Sequence, residues 1–550
     1  MNDHLARPRT IVWSIAGSDS GAGAGIQADL RAFDAFEVHG CTAVAAITAQ
    51  NSVLVARIEP VATAWLDAQL AALASDLPPR AIKTGMLGSV ENLRCVVAWV
   101  DRLRASERGE GLALVVDPVW RASTGAALGD EALRLAMRTE LIPRATVITP
   151  NRAEAAWLLG WDARAMDDTG RVEEAAAALR ALGAESVVIT GGDATAGAND
   201  IATGSPKSGR SLDWMSTPET RGWLSLPRVH TPHHHGSGCV FAASTAAVLA
   251  LGFCTADAIV IAKMSATQAV RGGRAAGQGA GAVRPQRGFG LEPDLLPSLS
   301  DTAAHPAPAF APLADRQLGL YAIVDSAEAI ERVLKAGVRT VQLRMKHAAD
   351  ASLRAEPSTR AELSEAIRRS VHAARATGAQ LFVNDHWQLA IEHRAYGVHL
   401  GQEDVVDADL DAIRRAGLRL GLSTHCVWEV CRAHALAPSY IACGPIHPTT
   451  TKAMPWLPQG SGNLAYWCRV LREPVVAIAG MDAARAHEAV RCGAAGVAVL
   501  RGLAQTSDPG GVVQHYTQAM QAGAADQPLA APELPRPTFV AAKSRVTTRR

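Results

Sequence analysis

The sequence predicts two α/β domains in one chain, an open doubly wound sheet followed by a parallel (β/α)8 barrel. Short apolar runs rich in Val and Ile alternate with helix-length segments in both halves of the chain. After Gly319 such runs occur eight times, which is the repeat expected of a barrel. A stretch rich in Pro and Ala separates the two halves and predicts a linker between two domains.

In the first half, residues 10–285, six runs are predicted to be strands buried on both faces of a sheet. The runs are Ile11–Ile15, Ala43–Thr48, Ala81–Lys83, Leu112–Val116, Val147–Thr149 and Ser186–Ile189. In a doubly wound sheet, the carboxyl ends of the strands line the ligand crevice. Polar residues that follow these runs are therefore candidates for a binding site.

In the second half, residues 317–523, most apolar runs end in residues suited to bind phosphate or a metal ion. Barrels place their catalytic groups at these carboxyl ends. The runs are Leu320–Val324, Thr340–Leu343, Leu381–Val383, Gly397–Leu400, Leu418–Leu422, Tyr440–Cys443, Val475–Ala479 and Val497–Leu500. Residues 286–316 are predicted to be a linker, and residues 524–550 a disordered tail, because both are rich in Pro and Ala.

Composition and charge argue against several classes of protein. The formal net charge is +1 and no basic block is interleaved with aromatic residues, so nucleic acid is not an expected partner. Val240–Phe253 is the longest apolar stretch and is too short to cross a membrane. Nine scattered cysteines without a C-x-x-C pair, and a polar start without a signal peptide, predict reduced thiols in the cytoplasm. The sequence leaves open whether the chain forms a homo-oligomer.

The first half contains a candidate phosphate-binding turn. His235-Gly236-Ser237-Gly238-Cys239 stands directly before the predicted helix Val240–Leu251, for which Gly252 can form the C-terminal cap. Glycines at a helix start allow several backbone N–H groups to converge on one anion, and the helix dipole adds to the attraction. An ordinary glycine-rich connection is the alternative. The adjacent histidines 233–235 lack the ligand spacing of a zinc site and are interpreted as a structural loop.

A second loop of small residues, Ala16–Gly25, follows the first strand and is neither a Walker A loop nor a G-x-G-x-x-G fingerprint. Small side chains there would let a flat substrate approach the backbone, and Asp29 could accept hydrogen bonds from it. Further polar motifs follow the other predicted strands. They are Lys83-Thr84-Gly85-Met86, Asp117-Pro118-Val119, Thr149-Pro150-Asn151 and Thr190-Gly191-Gly192-Asp193.

Six of these segments together resemble the hydroxymethylpyrimidine/phosphomethylpyrimidine kinases, which have the ribokinase fold. The segments are Ala16–Leu30, Gln50-Asn51, Lys83–Leu87, Asp117-Pro118-Val119, Thr149-Pro150-Asn151 and Gly236-Ser237-Gly238-Cys239. The resemblance implies transfer of the ATP γ-phosphate to 4-amino-5-hydroxymethyl-2-methylpyrimidine and then to its monophosphate. It implies that the pyrimidine is held by Gly17, Asp29 and Gln50. It implies that the catalytic anion hole consists of Gly236, Ser237, Gly238 and Cys239.

Cys239 is predicted to be an acid/base group whose pKa is lowered by the helix N-terminus. A small buried residue that only fills space is the alternative. The chain departs from the family at Thr190, where Lys is common, and so lacks one cation near the phosphates.

In the second half, Asp385 and Asp404 follow the third and fourth predicted strands. Two carboxylates without neighbouring cysteines predict Mg²⁺, which usually also binds substrate phosphates. Cations and hydroxyl groups follow other strands and could complete a diphosphate site; the alternative is a set of solvated polar residues. These groups are Arg344, Lys346, Lys452, Ser423, Thr449 and Thr451.

The segments Gln342–Lys346, Asn384-Asp385, Val398–Asp404, Ser423–His425 and Gly444–Lys452 resemble thiamine-phosphate synthase. The resemblance implies coupling of hydroxymethylpyrimidine diphosphate to thiazole phosphate, with Asp385 and Asp404 as Mg²⁺ ligands. It implies a pyrimidine diphosphate site made of Gln342, Leu343, Arg344, Met345, Lys346, Asn384, Ser423 and Lys452, with Arg344 and Lys452 catalytic. It implies a thiazole phosphate site made of Thr449, Thr450, Thr451, Gly480, Leu500 and Arg501, although the family commonly has Val-Ser at the last two positions.

The two halves fit one pathway, and the prediction is a bifunctional enzyme that uses ATP and Mg²⁺ to make thiamine phosphate. Three alternatives remain at this point. One half could be degenerate, the chain could be a non-catalytic precursor sensor, or the first half could be a sugar kinase. Cys239 argues against a sugar kinase, because sugar kinases of this fold carry an aspartate base at that position.

Overall fold

The computed structural model describes residues 9–121, 128–191, 209–303, 307–345, 357–448, 455–504 and 506–539, with backbone only for residues 108, 357, 358, 501 and 504. Chain contacts divide these residues into two compact units, residues 9–303 and residues 307–539. The division falls inside the predicted linker. No helix in the described ranges is both long enough and apolar enough to cross a membrane.

The first unit is built on a ten-stranded sheet with the order β10-β9-β8-β7-β6-β5-β4-β1-β2-β3. Its strands are β1 Ile11–Asp19, β2 His39–Gln50, β3 Val55–Pro60, β4 Ala81–Thr84, β5 Ala113–Val116, β6 Val147–Ile148, β7 Ser186–Ile189, β8 Arg210–Ser216, β9 Arg221–Pro227 and β10 Ser298–Ser300. Its helices are α1 Gly25–Ala35, α2 Thr63–Asp76, α3 Val90–Arg104, α4 Glu131–Ala136, α5 Arg152–Leu159, α6 Thr169–Ala181, α7 Ser237–Ala250 and α8 Thr255–Arg271.

The six strands predicted in this unit are confirmed, and they pair in parallel from β2 through β1 to β7. The direction of strand succession reverses between β1 and β4, where a doubly wound sheet binds its ligand. Antiparallel pairs lie at the two sides of the sheet and involve β3, β8, β9 and β10. These four strands were not predicted from the sequence. Charged and hydroxyl residues interrupt these strands, so they do not form the apolar runs that mark a central strand.

The second unit is a closed barrel of eight parallel strands, and all eight predicted runs are confirmed. Its strands are β11 Gly319–Val324, β12 Thr340–Leu343, β13 Gln380–Asn384, β14 Gly397–Leu400, β15 Arg419–Thr424, β16 Tyr440–Cys443, β17 Val475–Ile478 and β18 Gly496–Val499. Its helices are α9 Ala327–Lys335, α10 Pro357–Thr377, α11 Trp387–Glu392, α12 Asp404–Asp407, α13 Leu410–Arg415, α14 Val427–Ala435, α15 Gly460–Val470, α16 Ala483–Arg491, α17 Arg501–Ala504 and α18 Pro509–Ala525.

The predicted linker, residues 286–316, has more structure than its composition suggested. Phe289, Leu295 and Leu299 are buried, and Leu299 lies in β10, which pairs with β9 of the first unit. Phe310 is buried in the second unit, where its N–H donates to the carbonyl of Ala437. A few large apolar residues spaced among Pro and Ala are therefore enough to fix both ends of this segment.

The prediction of a disordered tail from residue 524 is wrong as far as residue 539. Arg536 donates from its backbone N–H to Asn463, and its guanidinium donates to the carbonyl of Gln459. The Thr538 hydroxyl donates to the carbonyl of His425 at 2.7 Å, and Phe539 forms an antiparallel bridge with Trp456. We call residues 536–539 the C-terminal strap. Its partners lie far away in sequence, so composition gave no sign of them; residues 540–550 lie outside the described residues.

Candidate active sites

A cavity of about 830 Å³ opens in the first unit at the carboxyl ends of β1, β4 and β5. This is the place that the strand order predicts for a ligand. Of the residues predicted for this site, all except Asp29 line the cavity. Those lining residues are Gly17, Gln50, Gly236, Ser237, Gly238 and Cys239.

The loop that begins α7 presents free backbone donors to this cavity. Gly236 has a φ of 85°, and a Cβ added there would lie 2.1 Å from the carbonyl oxygen of Gly23, so only glycine fits. The N–H of Ser237 donates to the carbonyl of His234, which removes Ser237 from the predicted set of backbone donors. Among the described residues, the N–H groups of Gly238 and Cys239 have no carbonyl partner, as expected in the first turn of a helix. These two donors remain for an anion.

Asp19, at the end of β1, organises the loop of small residues, a role that sequence analysis missed. Its carboxylate accepts backbone N–H groups of Gly21, Gly23 and Ala24 at 2.8–2.9 Å, and it lies 3.5 Å from Nε2 of His235. Burial opposes ionisation, but the bonds from His235 and the backbone lower the pKa of Asp19 below its ordinary value. An aspartate followed by small residues is a common turn signal, and it could have indicated this role.

Lys83 is the centre of a buried ionic cluster. Its Nζ lies 3.0 Å from both carboxylate oxygens of Asp29 and 3.4 Å from Oδ2 of Asp117. Ser14 donates to Asp29 at 2.6 Å. Burial alone would lower the pKa of Lys83, but the carboxylates of Asp29 and Asp117 outweigh it and raise that pKa. The cation is therefore retained inside the protein.

This cluster corrects the role predicted for Asp29. Its side chain is fully buried and bonded to Lys83 and Ser14, and it does not reach the cavity wall. Lys83 and Asp117 line the cavity in its place. A lysine within a strand predicted to be buried on both faces was the signal that a carboxylate had to lie nearby.

The structure also corrects the pKa predicted for Cys239. The thiol lies at the start of α7, but burial raises its pKa to about 12, and the nearby carboxylates of Asp117 and Asp29 add to that effect. Lys83 and the N–H of Gly25 oppose the shift without overcoming it. The thiol is therefore protonated at neutral pH, so it can donate a hydrogen bond but is not a ready-made base.

The far wall of the cavity carries additional cations that were not singled out from the sequence. Lys263 forms a buried ion pair with Asp213 at 2.7 Å, and both residues line the cavity. Arg121 and Arg228 line it as well. Thr190 lies in the same wall, whereas Gly192 and Asp193 lie outside the described residues. Positive charge is thus present near Thr190 even without a lysine at that position.

In the second unit, the strands bring most of the predicted residues to one end of the barrel. Arg344 and Met345 follow β12, Asn384 ends β13 and is followed by Asp385, and Ser423 lies near the end of β15. Leu343, Asp404, Gly480 and Leu500 also lie at or just beyond strand ends on this side. Gln342, by contrast, lies within β12, where it is buried and donates to the Tyr321 hydroxyl. The other predicted residues, Lys346, Thr449, Thr450, Thr451 and Lys452, lie outside the described residues, as does the side chain of Arg501.

Two acidic residues at this mouth are the candidates for a metal site. Asp385 has a φ of 61°, in the left-handed region, and accepts a hydrogen bond from the Asn384 amide at 2.5 Å. Asp404 begins α12 and accepts the N–H of Gly401. No group of three or more His, Cys, Asp or Glu residues gathers among the described residues. A pair of carboxylates nevertheless fits Mg²⁺, which usually keeps water ligands and binds substrate phosphates.

Gly480, predicted to hold a phosphate, sits in a tight contact after β17. It has a φ of 69°, and an added Cβ would lie 2.8 Å from Cβ of His447. Arg485 donates to the carbonyl of Gly480 at 2.5 Å. Burial and the charge of Arg485 lower the pKa of His447. Arg485 is a cation at this mouth that sequence analysis missed, because it belongs to a helix that otherwise reads as solvent-exposed.

Comparisons with known proteins divide the chain in the same way. Residues 19–284 match the family described as phosphomethylpyrimidine kinase, and residues 320–503 match thiamine monophosphate synthase. A hydroxymethylpyrimidine/phosphomethylpyrimidine kinase of Synechococcus elongatus is 42% identical over 271 residues, which is 49% of this chain and 95% of the relative. A thiamine-phosphate synthase of Cronobacter sakazakii is 46% identical over 217 residues, which is 39% of this chain and 98% of the relative.

Among solved structures, the chain is similar to a Bacillus subtilis pyridoxal kinase in complex with ADP. The two are 34% identical with a TM-score of 0.44, over 50% of this chain and 98% of that one.

The two curated relatives are each covered almost completely, one by each half of this chain. The chain therefore belongs to two enzyme families at once, the phosphomethylpyrimidine kinases through its first half and the thiamine-phosphate synthases through its second.

Proposed function

We propose that this chain makes thiamine phosphate by two successive activities. The first unit phosphorylates 4-amino-5-hydroxymethyl-2-methylpyrimidine and its monophosphate with ATP, and the second couples the resulting diphosphate to thiazole phosphate. The observation that carries the proposal is that the two halves of this chain align with nearly the whole length of a kinase relative and of a synthase relative. Each unit also has a candidate phosphate-binding site. The product of the first unit is the substrate of the second.

In the first unit, catalysis requires positioning and charge stabilisation more than covalent chemistry. The γ-phosphate would receive hydrogen bonds from the N–H groups of Gly238 and Cys239 at the positive end of α7. The pyrimidine would lie near Gly17 and Gln50, so that its hydroxymethyl group faces these donors. The protonated Cys239 thiol donates to the Asp117 carboxylate. In the transition state it would turn this proton to a phosphoryl oxygen, and Asp117, which lines the cavity, would take up the proton that the attacking hydroxyl group loses.

In the second unit, the difficult step is departure of pyrophosphate from the pyrimidine methylene group. The aminopyrimidine ring stabilises the cation left behind, so the protein mainly has to stabilise the leaving group. Arg344 and the Ser423 hydroxyl would bind the diphosphate, together with Lys346 and Lys452. Bound at Asp385 and Asp404, Mg²⁺ would supply further positive charge to the diphosphate. The thiazole nitrogen would then attack the methylene carbon, with its phosphate held near Gly480.

The full reaction can be tested directly with the purified chain, ATP, Mg²⁺, the pyrimidine alcohol and thiazole phosphate. We expect thiamine phosphate and an equal amount of pyrophosphate. Without thiazole phosphate, the pyrimidine diphosphate should accumulate; accumulation of only the monophosphate would show that the second phosphorylation fails, as the departure at Thr190 suggested. Supplying the diphosphate without ATP tests the second unit alone. Failure of one arm would favour a degenerate half, and binding without turnover in both arms would favour a sensor.

Replacing Cys239 with Ala is expected to slow phosphorylation of the pyrimidine alcohol by about 10²-fold, because a positioned proton donor is lost. Cys239→Ser keeps a hydroxyl donor and should lose less. Steady-state phosphorylation measures the effect, and coupling of supplied diphosphate by the same preparations serves as the control. Equal rates for Cys239→Ala and the unmodified chain would leave only the backbone N–H groups in this role.

A further inference from the structure

A line of hydrogen bonds crosses the barrel interior and ends at the mouth. Gln342 Nε2 lies 3.1 Å from the Tyr321 hydroxyl, which lies 2.8 Å from the Tyr440 hydroxyl. The Tyr440 hydroxyl lies 2.7 Å from Nδ1 of His399, and Nε2 of His399 lies 2.9 Å from the Ser423 hydroxyl. Five side chains from five strands thus form one uninterrupted series, and we call it the interior line.

The first member of the interior line sets the direction of all the others. The amide nitrogen of Gln342 can only donate, so the Tyr321 oxygen accepts from it. Among the described residues, the Tyr440 oxygen is the one other partner given for the Tyr321 hydroxyl, so the Tyr321 proton is hydrogen-bonded only if it goes to Tyr440. The Tyr440 proton then goes to Nδ1 of His399. A neutral imidazole that accepts at Nδ1 carries its proton on Nε2, which donates to Ser423. With its oxygen already accepting, the Ser423 hydroxyl keeps its proton for another acceptor.

The surroundings keep every member in the required protonation state. His399 is buried, and a neutral ring is the form that can accept at Nδ1 and donate at Nε2. Burial raises the pKa of both Tyr321 and Tyr440 above the ordinary value, so both hydroxyls keep their protons. Room for the Tyr440 ring depends on Gly421, where an added Cβ would lie 2.1 Å from that ring.

We propose that the interior line is a positioning device that turns the Ser423 hydroxyl proton toward the barrel mouth, where it donates to a phosphate oxygen of the diphosphate substrate. His399, Tyr440 and Tyr321 are positioning residues, since they act on the ligand through Ser423. The inference rests on the proposed function of the second unit. Because the hydroxyl group is already held in one orientation, less conformational entropy is lost when the substrate binds.

The first test observes the proton position without any reaction. Nitrogen-15 labelling of the histidines in the full chain, with a His399→Gln variant to assign the signals, identifies which ring nitrogen of His399 carries hydrogen. We expect hydrogen on Nε2 only, in the chain without substrate at neutral pH. Hydrogen on Nδ1, or on both nitrogens, would reverse or break the interior line and overturn the proposal, whatever the activity of the chain.

The second test is a double-mutant cycle between Tyr440→Phe and Ser423→Ala, measured as the KM for the pyrimidine diphosphate. Each single change should raise KM about tenfold, as expected for a hydrogen bond to a charged group. The double variant should be no worse than Ser423→Ala alone, because Tyr440 acts only through Ser423. If the KM of the double variant rises by the product of the two single increases, Tyr440 acts independently of Ser423, and the proposal is contradicted.

Tyr396→Phe is the matched control for this cycle. Tyr396 bonds to Gln380 at the opposite end of the barrel, so its loss should leave KM unchanged. If the unmodified chain and this control make no product from the diphosphate, the proposed function fails. If both are active and the cycle shows no coupling between Tyr440 and Ser423, only the interior line fails.

Discussion

Replacing Lys83 with Met is expected to destabilise the first unit by about 3–5 kcal/mol, because it leaves the carboxylate of Asp29 in the interior without its cation. Lys83 and Asp29 are both fully buried, and Asp117 is nearly so. Removing one partner of such a cluster costs far more than removing a surface ion pair. Activity of the first unit should therefore be lost at temperatures at which the unmodified chain still works.

Residual activity after heating separates the two units in one preparation. Phosphorylation should fail at a lower temperature in Lys83→Met, while coupling of supplied diphosphate should fail at the unchanged temperature. Adding Asp29→Asn should restore part of the stability, since it removes the unpaired charge. Arg57→Met is the control, because its ion pair with Glu59 is 64–77% exposed. Unchanged heat resistance of Lys83→Met would contradict the buried cluster.

Replacing Asp385 with Asn is expected to reduce coupling by at least about 10²-fold and to leave phosphorylation intact, because a metal ligand for the diphosphate is removed. Asn is the most informative substitution, because Asn tolerates the left-handed backbone conformation of Asp385, whereas Ala at this position would be strained. The loss should therefore report on charge and not on folding.

The measurement is coupling of supplied diphosphate over a range of Mg²⁺ concentrations. Asp404→Asn should show a similar loss and a weaker dependence on Mg²⁺. Asp407→Asn, at the exposed end of the same short helix, is the matched control and should behave like the unmodified chain. A coupling rate and Mg²⁺ dependence unaffected by Asp385→Asn would remove this residue from the metal site.

The central strands could be predicted because they are buried on both faces, so that runs such as Val475–Ala479 carry only apolar residues. Polar residues at their ends, such as Asp385 and Ser423, could be assigned to the mouth because parallel strands all end on one side. The antiparallel strands β8 and β9 contain Arg, Ser and Asp, and their pairing depends on distant partners.

The misassigned residues share one physical cause. Asp29 lies on α1, and only the packing of that helix against β1, β2 and α7 decides that its carboxylate meets Lys83 and not a ligand. The position of Cys239 at a helix start was correctly predicted, but the carboxylates that raise its pKa come from α1 and from the end of β5, which are distant in sequence. Local sequence predicts secondary structure well, whereas the electrostatic surroundings of a side chain are set by residues far away along the chain.

The C-terminal strap has a practical consequence for anyone who wishes to isolate the barrel. The family match ends at residue 503, and a recombinant fragment cut there would lack α18 and residues 526–539. Asn463 and the carbonyl groups of Gln459 and His425 would lose partners that they have in the whole chain. A fragment meant to keep the rim of the barrel intact should therefore extend to Phe539, well past the border that sequence similarity suggests.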